Sequence, residues 1–108
     1  MVQACLETVP GWTFAHAVSG LDAIERLTLG TFELAVLDLQ MPDVGGLEVL
    51  EFVRAQDRLR TLPILVVTSL ADTDTKARVI RAGATSFLSK PFLPAMLLTE
   101  VRRLLGAQ

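Results

Sequence analysis

Two hydrophobic rhythms alternate along the chain. Short apolar runs closed by one polar residue are Glu33-Leu-Ala-Val-Leu-Asp38, Leu62-Pro-Ile-Leu-Val-Val-Thr68 and Ser86-Phe-Leu-Ser-Lys90. Bounded by turn signals, they predict buried strands over 33–38, 63–68 and 85–89. Trp12-Thr-Phe-Ala-His-Ala-Val18 predicts another strand, with Ser19-Gly20 as the turn out of it. Between the runs, apolar positions fall three and four apart. Val2, Cys5, Leu6 and Val9 mark the end of a helix over 2–8, stopped by Pro10-Gly11. Leu21, Ile24, Leu27 and Leu29 share the expected face of a second helix, which Gly30 is placed to end. A third runs from Gly46 to about Arg54 on Leu47, Val49, Leu50 and Val53. Asp72-Thr-Asp-Thr caps a fourth that reaches Ala82 and stops at Gly83, with Asp72 and Asp74 as acids favoured by the helix dipole. The last, over 93–105, buries Leu97, Leu98, Val101, Leu104 and Leu105, and Gln56 to Thr61 reads as a charged surface loop.

Strands alternating with helices imply an α/β fold, a doubly wound parallel sheet covered on both faces and joined by right-handed crossovers. The 108 residues suit a single domain spanning 1–108, and 51% hydrophobic content is enough for a sizeable core. Ten basic and twelve acidic residues are spread along the chain for a net charge of -2. Without a basic block, direct nucleic-acid binding is not expected. No apolar run approaches a membrane span, and no basic flank marks a signal peptide. Cys5 is the only cysteine, which fits a reducing cytoplasm.

In open parallel sheets, chemistry sits outside the carboxyl ends of the strands. Asp38, Thr68 and Lys90 occupy three such ends. Alone, each has a plain structural reading: a helix-capping carboxylate, a structural hydroxyl, an exposed ammonium. Together, a carboxylate, a hydroxyl and an ammonium suit a phosphoryl group. The carboxylate attacks phosphorus, and the other two hold its equatorial oxygens.

Leu37-Asp38-Leu-Gln-Met41-Pro42-Asp-Val-Gly-Gly46, Val67-Thr68-Ser69 and Gly83-Ala-Thr-Ser-Phe87-Leu-Ser-Lys90-Pro91-Phe92 resemble the receiver domains of bacterial two-component response regulators. The intervals of 30 residues from Asp38 to Thr68 and 22 from Thr68 to Lys90 fit that family, and the resemblance covers about residues 2–106. It implies a flavodoxin-like fold with strand order 2-1-3-4-5. It also implies Asp38 as phosphoacceptor, Thr68 as the hydroxyl turning toward the phosphoryl group, and Lys90 as its charge partner. Phe87 becomes the switch aromatic coupled to Thr68, and Asp38 with the backbone carbonyl of Gln40 become ligands of Mg²⁺. Lys90-Pro91 resembles the family's cis-peptide turn. The implied partner is a histidine kinase or phosphotransfer protein, and the implied role is cytoplasmic signal transduction rather than enzymatic turnover.

The sequence departs from the family pattern in places. Gly45 stands where Asp or Asn is frequent. Ser69 replaces a smaller residue and adds a hydrogen bond or narrows access, and Phe87 lacks the hydroxyl of the commoner Tyr. The largest departure is at the start, where a first strand ending in two acids is expected and the chain begins inside the following helix. Reading Met1 to Glu7 as that strand leaves only Thr8 to Gly11 for a crossover, too few. The expectation is therefore a truncated receiver with four strands, its usual central first strand and acidic pair missing. Such a loss removes about 6–15 kcal/mol of burial at about 1.5–3 per side chain, comparable to a domain's net stability of about 5–15 kcal/mol. A loose or self-associating chain and a weakened Mg²⁺ site follow. A fragment, a binding-only pseudo-receiver acting as an interaction or dimerisation module, and a form completed by another chain all remain open. Glu7 and Asp43 are the nearby acids that could substitute as ligands, with Asp43 read as a helix cap. His16 and Cys5 read as core residues, and Met41 as packing in its turn. A haloacid-dehalogenase-like phosphatase needs a second Asp where Gln40 stands, and a flavodoxin-like cofactor binder needs a hydroxyl-rich phosphate loop that is absent.

Overall fold

The computed structural model describes residues 17–40, 44–69 and 72–105. The expected helix over 2–8, most of the Trp12–Val18 strand, and Cys5, Glu7, His16, Met41 and Asp43 lie outside them, as does the segment on which the strand count at the amino end depends. Ala17 and Val18 are described and belong to no strand.

Helix α1, Gly20–Leu29, opens on Ser19, whose hydroxyl accepts the Asp22 N–H at 3.1 Å. It closes at Gly30, whose N–H donates to the Arg26 carbonyl at 2.9 Å. Its buried face differs from the expected one. Gly20, Ala23 and Leu27 are buried with Ile24 beside them, whereas Leu21 and Leu29 are 57% and 80% exposed. At 3.6 residues per turn, positions 20, 23, 24 and 27 line one side. Position 29 is two residues past Leu27 and so points nearly opposite. Small residues on the buried side signal close approach, which a search for large apolar residues overlooks.

Strand β1, Ala35–Asp38, leads to helix α2, Gly46–Arg54, in which Val49, Leu50 and Val53 are buried. The segment after α2 is more than a surface loop. Asp57–Leu59 forms a short 3-10 turn that buries Leu59 and directs Arg58 onto α1. The Arg58 guanidinium donates to the carbonyls of Leu27, Thr28 and Gly30 at 2.7, 2.8 and 3.0 Å, satisfying the open end of that helix. Strand β2, Ile64–Thr68, is buried along its whole length. Helix α3, Thr73–Arg81, is capped by Asp72, which accepts the Thr75 N–H at 3.2 Å and the Thr75 hydroxyl at 2.6 Å. These bonds hold the Asp72 carboxyl below the usual range, the Thr75 hydroxyl contributing most. Gly83, at φ 116°, turns the chain in a conformation that disfavours side chains. Strand β3, Ser86–Ser89, and helix α4, Pro94–Leu104, complete the described order.

Among the described residues the sheet is three-stranded and parallel in the order β1-β2-β3, with Ala35 aligned to Ile64 and Val66 to Phe87. One face carries Leu37, Ile64 and Val66 against α1, α2 and Val79 of α3. The other carries Leu65 and Val67 against Leu97 and Val101 of α4. The two-faced α/β arrangement agrees with the pattern of the sequence, as do the four helices among the described residues. The continuous burial of β2 explains why its apolar run does not alternate.

Candidate functional site

Parallel strands end on the same side, so the register alone gathers the polar termini. Asp38 aligns with Val67, and Thr68 with Ser89, one residue before Lys90. The Lys90 N–H still donates to the Thr68 carbonyl at 2.8 Å, keeping the chain beside β2 for one residue past the strand. From there the Lys90 ammonium reaches across the end of β2 and lies 2.5 Å from Asp38 Oδ2. The Lys90-Pro91 peptide is cis, as the family resemblance implies. Thr68 is fully buried between the two charged strand ends.

The other carboxylate oxygen is held from the backbone: the Gln40 N–H donates to Asp38 Oδ1 at 2.9 Å. Both oxygens thus face donors, and Asp38 keeps 28% of its side chain exposed against 37% for Lys90. The pair is therefore oriented and still open to an incoming group. The start of α2 rests directly on this strand end. A Cβ on Gly46 would lie 2.4 Å from the Asp38 carbonyl oxygen, and the Gly46 N–H donates to the Leu39 carbonyl at 3.1 Å. Gly45 donates its N–H to Glu48 at 3.3 Å. Ser69, next to Thr68, donates its hydroxyl to the Gln40 carboxamide oxygen at 3.2 Å, joining the tips of β1 and β2. Phe87 is half-buried against the core beside Val66 and shares the sheet face of Thr68.

Asp38, Thr68 and Lys90 are therefore assembled as the sequence predicts, with Gln40 supporting Asp38 through its N–H. Sequence reasoning did not find the role of Arg54. Its guanidinium bonds to backbone and side chain across α2, the 3-10 turn and the Gly83 turn. Nothing local marks an arginine at a helix end as a hub.

Asp38 and the Gln40 carbonyl are hard oxygen donors of the kind Mg²⁺ takes while keeping several of its waters. No group of three or more His, Cys, Asp or Glu side chains that could hold a metal converges among the described residues. The donor set described here therefore fits such an ion only as part of a site. No helix among the described residues is long and apolar enough to cross a membrane.

Comparison with known proteins agrees with this geometry. The family profile described as response regulator receiver domain matches residues 1–102. The chain is 34% identical over 90 residues to the chemotaxis protein CheY of Pseudomonas aeruginosa, spanning 83% of this chain and 73% of that protein. It is 33% identical over 98 residues to the transcriptional regulatory protein CusR of Escherichia coli, spanning 91% of this chain and only 42% of that protein. Among solved structures, the receiver domain of the sensor histidine kinase PA1611 from Pseudomonas aeruginosa is similar with a TM-score of 0.88 at 25% identity. The match covers 97% of this chain and 85% of that one, which holds a magnesium ion in its active-site cleft.

Proposed function

The chain belongs to the family of response regulator receiver domains of two-component signalling, and from that premise we propose that Asp38 is its phosphoacceptor. The observation that carries this reading is the Lys90 ammonium 2.5 Å from Asp38 Oδ2, joined across the end of a strand that terminates in buried Thr68. One Asp38 oxygen attacks the phosphorus of a phosphohistidine on a histidine kinase or phosphotransfer protein. The P–N bond breaks, the imidazole keeps that electron pair and takes up a proton, and an aspartyl phosphate results. Lys90 then has phosphoryl oxygens to pair with in place of the free carboxylate, and Thr68 supplies a hydroxyl. Mg²⁺, when held by Asp38 and the Gln40 carbonyl, would neutralise charge on the phosphoryl oxygens.

As Thr68 turns toward the phosphoryl oxygens it vacates space on the sheet face it shares with Phe87, and the aromatic turns inward. The exposed surfaces of α3, β3 and α4 then change their preference among partners, a shift between two populated states. In this reading the chain is a cytoplasmic signalling module rather than a turnover enzyme, and self-association is one use of the altered surface. The chain spans less than half the length of CusR.

The test is exposure of the chain to phosphoramidate, a small P–N donor, with Mg²⁺ present, followed by detection of a hydroxylamine-labile phosphoryl adduct. The adduct is expected in the parent chain and absent in Asp38→Asn. An adduct that survives Asp38→Asn, or none in the folded parent, overturns the proposal. Partner binding that persists without any adduct would instead favour a phosphorylation-independent interaction module.

A further inference from the structure

Gly20, in the first turn of α1, is buried against Val44. A Cβ built on Gly20 would fall 1.9 Å from the Val44 carbonyl oxygen and 2.7 Å from its carbonyl carbon and its Cβ. The obstruction is largely backbone, so no rotamer relieves it. Val44 continues through Gly45 into Gly46, which is also packed tightly on the end of β1. A Cβ there would lie 2.4 Å from the Asp38 carbonyl oxygen and 2.8 Å from the Leu39 Cα. The Gly46 N–H is bonded to the Leu39 carbonyl, and the next residue, Gln40, donates its N–H to Asp38 Oδ1. From α1 to the Gln40 N–H there is thus a run of contacts made largely by backbone, and that N–H ends on the Asp38 carboxylate.

We infer that Gly20 is a positioning residue for Asp38: its missing side chain lets α1 seat on Val44 and so keeps Gly46 against the end of β1, beside the Gln40 N–H that orients the carboxylate. The competing explanation is that a larger residue at position 20 only tilts α1 outward. Two anchors oppose that. Ala23 and Leu27 are buried in the core, and Arg58 bonds the Leu27, Thr28 and Gly30 carbonyls at the far end of the helix. With α1 held at its middle and its far end, the displacement at Gly20 passes to Val44. The inference deepens the reading of Asp38 given above. Its test follows a hydrogen bond rather than phosphoryl transfer, so the two can fail separately.

The test is amide NMR on the ¹⁵N-labelled 108-residue chain. Asp38→Asn replaces a charged acceptor by a neutral one, and so gives the direction in which the Gln40 amide proton moves when its bond weakens. Gly20→Ala is expected to shift that resonance in the same direction by a comparable amount. Ile24→Ala, which trims a half-buried side chain in the same helix, is expected to leave it in place. Should Gly20→Ala fail to fold, Val44→Gly removes the side-chain part of the contact without introducing a clash, and a smaller shift in the same direction is expected. A Gln40 resonance unmoved in the folded Gly20→Ala chain, or in Val44→Gly when that variant is used, overturns the inference. So does an equal movement in Ile24→Ala.

Discussion

Replacing Arg54 by Met keeps an unbranched stem at the end of α2 and removes every donor of the guanidinium. The bonds lost run to the carbonyls of Gly83 at 2.9 Å, Leu59 at 2.8 Å and Arg60 at 3.2 Å, with a long contact of 3.5 Å to the Thr85 hydroxyl. Thr85 also accepts the Ile64 N–H at 3.0 Å and donates its own N–H to the Ile64 carbonyl at 2.9 Å, so the starts of β2 and β3 meet at this point. The two shortest bonds set the scale. A hydrogen bond to a charged group contributes about 1.5–3 kcal/mol when fully enclosed. Arg54 is only half-buried, and water can reach the freed carbonyls, so the pair together should contribute about 2 kcal/mol. Burial also lowers the Arg54 pKa, and this desolvation offsets part of the gain. The stem must stay, because Gly83 lies against Arg54 Cγ. In a domain of this size a loss of about 2 kcal/mol lowers Tm by about 8–16 °C. Urea unfolding followed by circular dichroism reads the loss as a lower midpoint at unchanged slope. Arg54→Lys should recover little of it, since an ammonium cannot span carbonyls on separate segments. A destabilisation below about 0.5 kcal/mol for Arg54→Met, the usual range of a surface substitution, would refute the reasoning.

Other perturbations separate charge from packing. Glu100 accepts bonds from Arg103 and from the Ser86 hydroxyl, which hold its carboxyl below the usual glutamate range, Arg103 contributing more. A depressed carboxylate stabilises above its unfolded pKa and loses that contribution as pH falls through its lowered folded value. The parent should therefore exceed Glu100→Gln in unfolding midpoint at neutral pH, the two curves converging in acid; a gap independent of pH would contradict this. Leu50→Ala should cost about 2–5 kcal/mol, since Leu50 is wholly buried. Phe52→Ala, two residues along and 47% exposed, should cost within about 1 kcal/mol in the same urea titration. The reverse order would mean that the buried face of α2 is misassigned.

Much of the fold is written in local pattern. The α2 bounds, the Asp72 cap and the Gly83 stop follow from periodicity and capping chemistry, which act within a few residues and so can be read from a few residues. The three strand-end residues were legible for a related reason. A parallel sheet puts successive strand ends on one side, so Asp38, Thr68 and Lys90 could be expected together before any distance was known. The expectation stopped at side-chain identity. It did not include the Gln40 N–H on Asp38, because a backbone donor carries no letter in the sequence.

Where reading failed, the deciding contacts were long-range. The α1 stripe built on Leu21 and Leu29 gave way to one built on Gly20 and Ala23. The helix had to approach the Val44 backbone closely, and apolar size was the wrong measure of burial there. The loop after α2 stays charged and exposed but folds into a 3-10 turn, because Leu59 has core to fill and Arg58 has an open helix end to satisfy. Arg54 gained its importance from carbonyls on segments brought to it only by folding. Local spacing and a general property of parallel sheets suffice for the alternation of strands and helices and for the chemistry at the strand ends. Only folding settles which face of α1 is buried and what Arg54 holds, because both depend on backbone atoms far apart in the chain; it also brings the Lys90 ammonium, 52 residues away, onto Asp38.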